Sequence, residues 1–332
     1  MRRLRRWGEA LARVARRPWT GRPRPALPSD ADLERARPII ERCLLTYPNL
    51  AYRRDKALLF SREGNALLMY GRMGRSWIAM GDPVGPEGEA RELLRRFRDD
   101  CARAGGWSVF FEVRPGHRDW YLDLGLTLTK LGEEARVPLA DFDLGSPALA
   151  RVRQARAKLE RIGCRFEILP PAAVPGALPE LLRVSGGWLA GKATREKGFS
   201  NASFDAGYLA RFPVAVVRSD AGIVAFANLW LGGGREELSV DLMRHLPGAP
   251  NGTMDLLFSG IMLHGRDQGF RWFNFGMAPL SGLDAHSGSP LWMGLGTFVY
   301  RHGEHFYNFR GLRAYKEKFH PAWTPLYLAA PG

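Results

Sequence analysis

Apolar and polar positions along this chain follow helical and strand rhythms in turn, and the order in which they do so recurs. From Glu89 to Ala104 the apolar residues Ala90, Leu93, Leu94, Phe97, Cys101 and Ala104 fall at helical intervals, which predicts an amphipathic helix. Gly105-Gly106 ends it, and Trp107-Ser108-Val109-Phe110-Phe111-Glu112-Val113 reads as a buried strand. Met254 to Asp267 repeats the helical spacing through Leu257, Phe258 and Ile261, Gly269 stops it, and Phe270 to Phe275 follows as a strand. Each helix is preceded by a hairpin and a third strand. In the first half these are Ala57–Phe60 and Ala66–Tyr70 around Glu63-Gly64-Asn65, then Ser76–Met80. In the second they are Val214–Arg218 and Ile223–Trp230 around Asp220-Ala221-Gly222, then Leu238–Leu242. The chain reads as two copies of one α+β unit.

Charge divides the chain differently. Of the net +14, residues 1–24 hold nine arginines against Glu9, or +8. Leu4, Trp7, Leu11 and Val14 recur there at helical spacing, so the segment reads equally as a helix lying on an anionic membrane or as a solubilising arm. Pro18, Pro23, Pro25 and Pro28 then form a stiff spacer. A second basic stretch, Ser146 to Ile162, joins the two copies. Val152, Ala155, Leu159 and Ile162 make an apolar stripe, and Arg151, Arg153, Arg156, Lys158 and Arg161 outnumber Glu160. It reads either as a phosphate-backbone contact or as a solvated face.

The 332 residues suffice for about two domains, and 45% apolar with 25% charged residues is a globular composition. Cys43, Cys101 and Cys164 are too scattered for a disulfide scaffold or a cysteine zinc site and fit a reducing compartment. The longest apolar runs, Ile223–Leu231 and Pro290–Tyr300, fall short of the ~18–20 residues of a membrane-spanning helix. A strand–strand–helix–strand unit is typical of acyltransferases. Yet the Arg/Gln-x-x-Gly-x-Gly/Ala loop that cradles coenzyme A matches in full only at Arg5–Ala10, inside the basic arm, and Arg195–Ser200 ends in the wrong residue. His302-Gly303-Glu304-His305 has no further ligand at a metal-site spacing, so no metal is expected.

Three polar segments stand out. Asp241 and Arg244 end a strand three residues apart, able to face one cleft; Lys316 lies among aromatics in Tyr315–Phe319; Lys192, Arg195, Glu196 and Lys197 lie in a glycine-bearing stretch. Each reads equally as a surface ion pair, which contributes only ~0–1 kcal/mol.

Several stretches together resemble one family. They include Leu68-Met69-Tyr70-Gly71, Arg75 to Gly85, Arg195-Glu196-Lys197-Gly198-Phe199-Ser200, Phe212 to Val217 and Val240-Asp241-Leu242-Met243-Arg244. Phe273-Asn274-Phe275-Gly276-Met277-Ala278-Pro279-Leu280 and the long run Phe306 to Phe319 complete the set. Over roughly residues 25–332 the chain resembles the C-terminal synthase domain of the multiple peptide resistance factor, the aminoacyl-phosphatidylglycerol synthases. The resemblance implies an α+β (α/β) fold of two tandem GNAT-like units separated by a basic helix. The expected division is an arm and linker at 1–28, a first unit at 29–145, the basic helix at 146–163 and a second, catalytic unit at 164–332.

It further implies transfer of an aminoacyl group, lysyl above all, from aminoacyl-tRNA to phosphatidylglycerol at the cytoplasmic face of a bacterial inner membrane, with resistance to cationic peptides as the physiological role. Aminoacyl-tRNA is then the co-substrate and no cofactor is expected. A flippase domain or protein is the further partner, residues 1–24 resembling the linker that would follow such a domain. Whether the chain is a piece of a longer one or free-standing stays open, as does the amino acid. By the same resemblance Lys316 stabilises the oxyanion or an adjacent phosphate. Arg244 suits bidentate phosphate binding; Asp241 suits the aminoacyl ammonium and would also hold Arg244 in place. Tyr208, Glu196, Lys197, Asn274 and Arg313 are expected to line the substrate site. Arg151, Arg153, Arg156, Lys158 and Arg161 would meet tRNA, and Arg2, Arg3, Arg5, Arg6 and Trp7 the membrane. Asp82-Pro83 reads as a turn in a non-catalytic first half. Two departures, glycines before Trp188 and Asn201-Ala202 after Ser200, bear on the amino acid carried. The competing readings are a peptide or another lipid as acceptor, and a non-catalytic tRNA or membrane binder.

Overall fold

The structure, a computed structural model, describes residues 25–191, 204–282 and 309–331. It opens on α1 (Asp30–Arg42), started by a capping box in which Ser29 and Asp32 satisfy each other's backbone N–H groups. β1 (Ala57–Phe60), β2 (Leu67–Met73) and β3 (Ser76–Val84) form an antiparallel meander. α2 (Glu87–Arg103) crosses over to β4 (Trp107–Val113), which runs parallel to β3. The short α3 (Arg118–Leu122) leads to the long β5 (Leu126–Pro138).

The second half repeats this order. After α4 (Ala150–Arg161), β6 (Arg165–Leu169), α5 (Val174–Ala190) and α6 (Ala206–Leu209) come β7 (Val214–Ser219), β8 (Gly222–Leu231) and β9 (Glu237–His245). α7 (Thr253–Asp267) crosses to β10 (Trp272–Pro279), parallel to β9, and α8 (Phe309–Glu317) precedes β11 (Ala322–Pro331).

Among the described residues the eleven strands join in one sheet, in the order β1-β2-β3-β4-β11-β5-β10-β9-β8-β7-β6. The last strand of each half is exchanged: β11 lies against β4 of the first half, and β5 against β10 of the second. Between them β5 and β11 pair along their length, from Arg136↔Ala322 to Leu126↔Pro331. Neither half completes its own sheet, so the repeats are locked by backbone hydrogen bonds as well as by packing.

The apolar stripes of the two crossover helices go into the core. Leu94, Phe97 and Cys101 of α2 pack with Phe110 and Tyr121; Leu257, Phe258 and Ile261 of α7 pack with Phe273 and Phe275. Val152 and Leu159 of α4 join the same cluster as α7, which anchors the basic helix. Gly260 permits the close approach of α7 to β6, since a Cβ would lie 2.4 Å from the Phe166 ring. One expectation is corrected: Asp82-Pro83 is not a turn but part of β3. The bend is taken up by Gly81 (φ 72°) within the strand, and Asp82 is buried.

Candidate active site

The parallel strands β9 and β10 pair only from Glu237↔Trp272 to Ser239↔Asn274. Beyond this their outer halves turn to other partners, Met277–Pro279 to β5 and Val240–His245 to β8. The result is a wedge whose two sides are Val240–Arg244 and Phe275–Met277.

On the β9 side, Ala227 pairs with Met243 but Leu229 with Val240, so Asp241 and Leu242 together oppose Asn228. This β-bulge resets the alternation. Val240 and Met243 both face the α7 side. Asp241 and Arg244, three apart, both reach the side of α5 and α6. Asn228 Oδ1 holds the bulge by accepting the Leu242 N–H at 2.8 Å.

Asp241 is buried. Tyr208 donates its O–H to Oδ2 at 2.6 Å, and Arg53 lies 3.7 Å from Oδ1. Tyr208 in turn accepts the Trp230 indole N–H at 2.8 Å. Burial pushes the Asp241 carboxyl above the usual carboxylate range, with Arg53 and Tyr208 opposing the shift. Burial and the adjacent Asp241 likewise push the Tyr208 phenol well up, so it stays a donor. Arg53 comes from the turn before β1 and also faces Asp55, which pairs at 2.7 Å with the buried Lys56. The first half thus supplies cations to the carboxylate of the second. The expected Asp241–Arg244 pair is not how Asp241 is held: its partners are Tyr208 and Arg53. The Arg244 guanidinium instead lies 3.7 Å from the centre of the Trp188 ring on α5.

On the β10 side, Lys316 of α8 is buried, and its ammonium donates to the carbonyls of Gly276 at 2.8 Å and Met277 at 3.0 Å. Gly276 has φ 74°, and the register of β10 against β5 slips between Asn274 and Met277. Burial pulls the Lys316 pKa down to about 7, against the attraction of Glu134 and Glu112. Glu112, in the left-handed region at φ 66°, is pushed up to about 7 by burial and by Glu134. Glu134 accepts from Asn274 Nδ2 and Arg114 at 2.9 Å each.

Tyr208 therefore meets Asp241, and Asn274 lies beneath the Lys316 carbonyls. Arg313 sits farther along α8, ion-paired with Glu133 and stacked 4.1 Å from the Trp323 ring. On α4, Arg151, Arg153, Lys158 and Arg161 are exposed, whereas Arg156 pairs with Glu160 at 2.8 Å. Glu196, Lys197, the arm residues Arg2, Arg3, Arg5, Arg6 and Trp7, and the His302–His305 segment lie outside the described residues. Among the described residues there is no cluster of metal-ligating side chains and no helix long and apolar enough to cross a membrane. Sequence reasoning missed Arg53, Glu112 and Glu134. The available signal was a charged run, Gly132-Glu133-Glu134-Ala135-Arg136, where a strand has to pass through the middle of the sheet.

The family described as phosphatidylglycerol lysyltransferase, C-terminal, matches residues 42–330. A phosphatidylglycerol lysyltransferase of Bacillus subtilis is 36% identical over 282 residues, 85% of this chain. The match takes up 33% of that relative, so the chain spans about a third of the length of the curated relatives it matches. The C-terminal domain of a putative lysylphosphatidylglycerol synthetase from Agrobacterium fabrum superposes with a TM-score of 0.83 at 43% identity, covering 91% of this chain and 92% of that one. The L-PGS structure from Bacillus licheniformis superposes at 0.82 with 33% identity, covering 94% of each. FemX, at 10% identity and a TM-score of 0.55 over 87% of this chain and 91% of that one, shares the fold alone. With its wedge, its exchanged strands and these likenesses in hand, the chain belongs to the family of phosphatidylglycerol lysyltransferase C-terminal domains.

Proposed function

We propose that this chain moves an aminoacyl group, lysyl above all, from aminoacyl-tRNA to phosphatidylglycerol, working as a peripheral unit at the cytoplasmic face of the membrane. The glycerol hydroxyl attacks the ester carbonyl, the bond to the terminal ribose oxygen breaks, and the proton passes from the lipid hydroxyl to that ribose oxygen. The ester is already activated, so no covalent enzyme intermediate or cofactor is required.

The observation that carries this reading is the seat of Lys316. An ammonium has three donors. Two are taken by the Gly276 and Met277 carbonyls, which fix the group at the wedge and leave the third for a developing oxyanion or phosphate oxygen. Across the wedge, Asp241 is an acceptor for the aminoacyl ammonium, held in place by Tyr208 and Arg53. Arg244, braced on Trp188, offers a planar fork to phosphate. The exposed cations of α4 suit the acceptor stem of tRNA, and a flippase domain or protein would carry the product onward to oppose cationic peptides.

The test uses purified protein, phosphatidylglycerol vesicles and tRNA charged separately with labelled lysine, alanine or arginine. Label entering the chloroform phase supports the reading and names the amino acid. Label entering a peptide acceptor instead, or no transfer from any of the three, overturns it.

A further inference from the structure

A cleft of about 700 Å³ opens between the end of α1, the junction of β3 with α2 and the residue before β9. That volume is in the range of small-ligand sites, and none of Asp241, Arg244 and Lys316 lines it. Ile39, Leu45 and Val84 form an apolar wall, and Leu44, 55% exposed, stands at the rim.

The polar wall is built before any ligand arrives. The buried carboxylate of Asp82 accepts the Tyr121 O–H at 2.6 Å and the Arg114 backbone N–H at 3.2 Å. His117 places Nδ1 3.0 Å from Asp82 Oδ2, and its ring stacks on Trp120 with centroids 4.1 Å apart. Nδ1 is buried beside the carboxylate without hydrogen-bond geometry to it, and Nε2 is the ring nitrogen left for a ligand. Arg136 is ion-paired with Glu237, Nε to Oε2 at 3.0 Å, but neither its buried Nε nor its buried Nη2 has a hydrogen-bond partner among the described residues. Arg42 is exposed at the last turn of α1. The remaining carboxylate of the wall, Glu236, faces Arg271 at 3.6 Å. The acids of the cleft are engaged, while its cations keep donors to spare.

We propose that this cleft is a second ligand site, for a polyol phosphate head group. Arg42 and Arg136 take the phosphate oxygens, and His117, backed by Asp82, accepts a hydrogen bond from a hydroxyl through Nε2. The apolar wall and Leu44 take the start of an attached hydrocarbon chain. Phosphate, hydroxyl and apolar chain in one ligand describe an anionic glycerophospholipid, whose head group is also available free as a glycerol phosphate. The site goes beyond the transfer reaction and stands whether or not the chain catalyses it.

Calorimetric titration of the full chain with glycerol 3-phosphate, with short-chain phosphatidylglycerol below its micelle concentration, and with the matching phosphatidylcholine tests this. Saturable binding of the phosphatidylglycerol alone identifies the lipid as source; binding of glycerol phosphate as well shows that the head group suffices. In either case Arg42→Glu and His117→Phe, which keeps a ring on Trp120, should weaken binding at least tenfold. Arg37→Glu, an exposed change outside the cleft, should leave it unchanged. No binding of either phosphate, equal binding of phosphatidylcholine, or the same loss in Arg37→Glu as in Arg42→Glu overturns the proposal. Asp241→Asn separates the two readings, since it should remove transfer and retain this binding.

Discussion

Replacing Lys316 by Met should change how the protein's stability depends on pH by an amount that can be worked out beforehand. In the folded chain burial holds the Lys316 pKa at about 7, against an ordinary value of 10.5. Between these two values the unfolded chain keeps a proton that the folded chain gives up. Stability therefore rises with pH: the cost of burying the ammonium is fully present below about 7 and fades as pH approaches 10.5. Integrating that proton difference from pH 7 to pH 9 gives a gain of about 2 kcal/mol for the wild type that the variant lacks. Glu112 acts in the same direction. In the variant it loses an attractive neighbour, titrates higher still, and weakens the folded state further as pH rises. Urea unfolding of both proteins at pH 7 and pH 9 gives the difference directly, and groups whose titration the substitution leaves unchanged cancel. A wild-type-minus-variant difference that stays flat across the interval would show that the ammonium is not desolvated. The placement of Lys316 on the Gly276 and Met277 carbonyls would then be wrong.

Other perturbations follow from the same geometry. Tyr208→Phe removes one charge-assisted hydrogen bond from Asp241, worth ~1.5–3 kcal/mol, so kcat/KM for transfer should fall about 10- to 100-fold with near-ultraviolet dichroism unchanged; full activity would refute a role for that bond. Arg114→Met leaves the carboxylate of Glu134 buried without its cation and should lower stability by ~3–5 kcal/mol in urea unfolding. Gly260→Ala puts a methyl 2.4 Å from the Phe166 ring and should lower the midpoint of thermal unfolding, at a cost of ~1–3 kcal/mol; a rise would mean that α7 and β6 are not in this contact. Arg151→Glu with Lys158→Glu on α4 should weaken tRNA binding and flatten its dependence on log salt by about two, as counted in phosphate contacts. An unchanged slope would leave α4 as a solvated face.

Much of the fold was legible because its crossover helices and their flanking strands are simple in pattern. Trp107–Val113 follows a glycine pair and is apolar but for Ser108 and Glu112, and the strand runs over those residues. The exchange at the centre of the sheet was not legible. β5 carries Lys130, Glu133, Glu134 and Arg136, and β11 carries Pro325 and Pro331, a composition that argues against interior strands. The carboxylates of β5 are tolerated because other elements supply their partners: Arg114 and Asn274 take Glu134, and Arg313 joins the local Lys130 on Glu133.

The site shows the same division between local and remote causes. Asp241 and Arg244 stood out as polar residues in a strand, but strand periodicity sends residues three apart to opposite faces. They share a face because Asn228, thirteen residues before Asp241 and on the neighbouring strand, accepts the Leu242 N–H and holds an extra residue in β9. No periodicity within Val240–Arg244 carries that information. A comparable bend recurs in the first half, where Gly81 (φ 72°) lies before Asp82 and Leu68 opposes more than one residue of β3. There too a buried aspartate accepts a tyrosine O–H at 2.6 Å, Tyr121 on Asp82 matching Tyr208 on Asp241. Two halves that each bend a strand to aim a carboxylate are more economically read as two sites than as one site and a scaffold. The sequence suggests a turn at Asp82-Pro83 because the aspartate stands beside a proline, whereas the structure places both residues within β3.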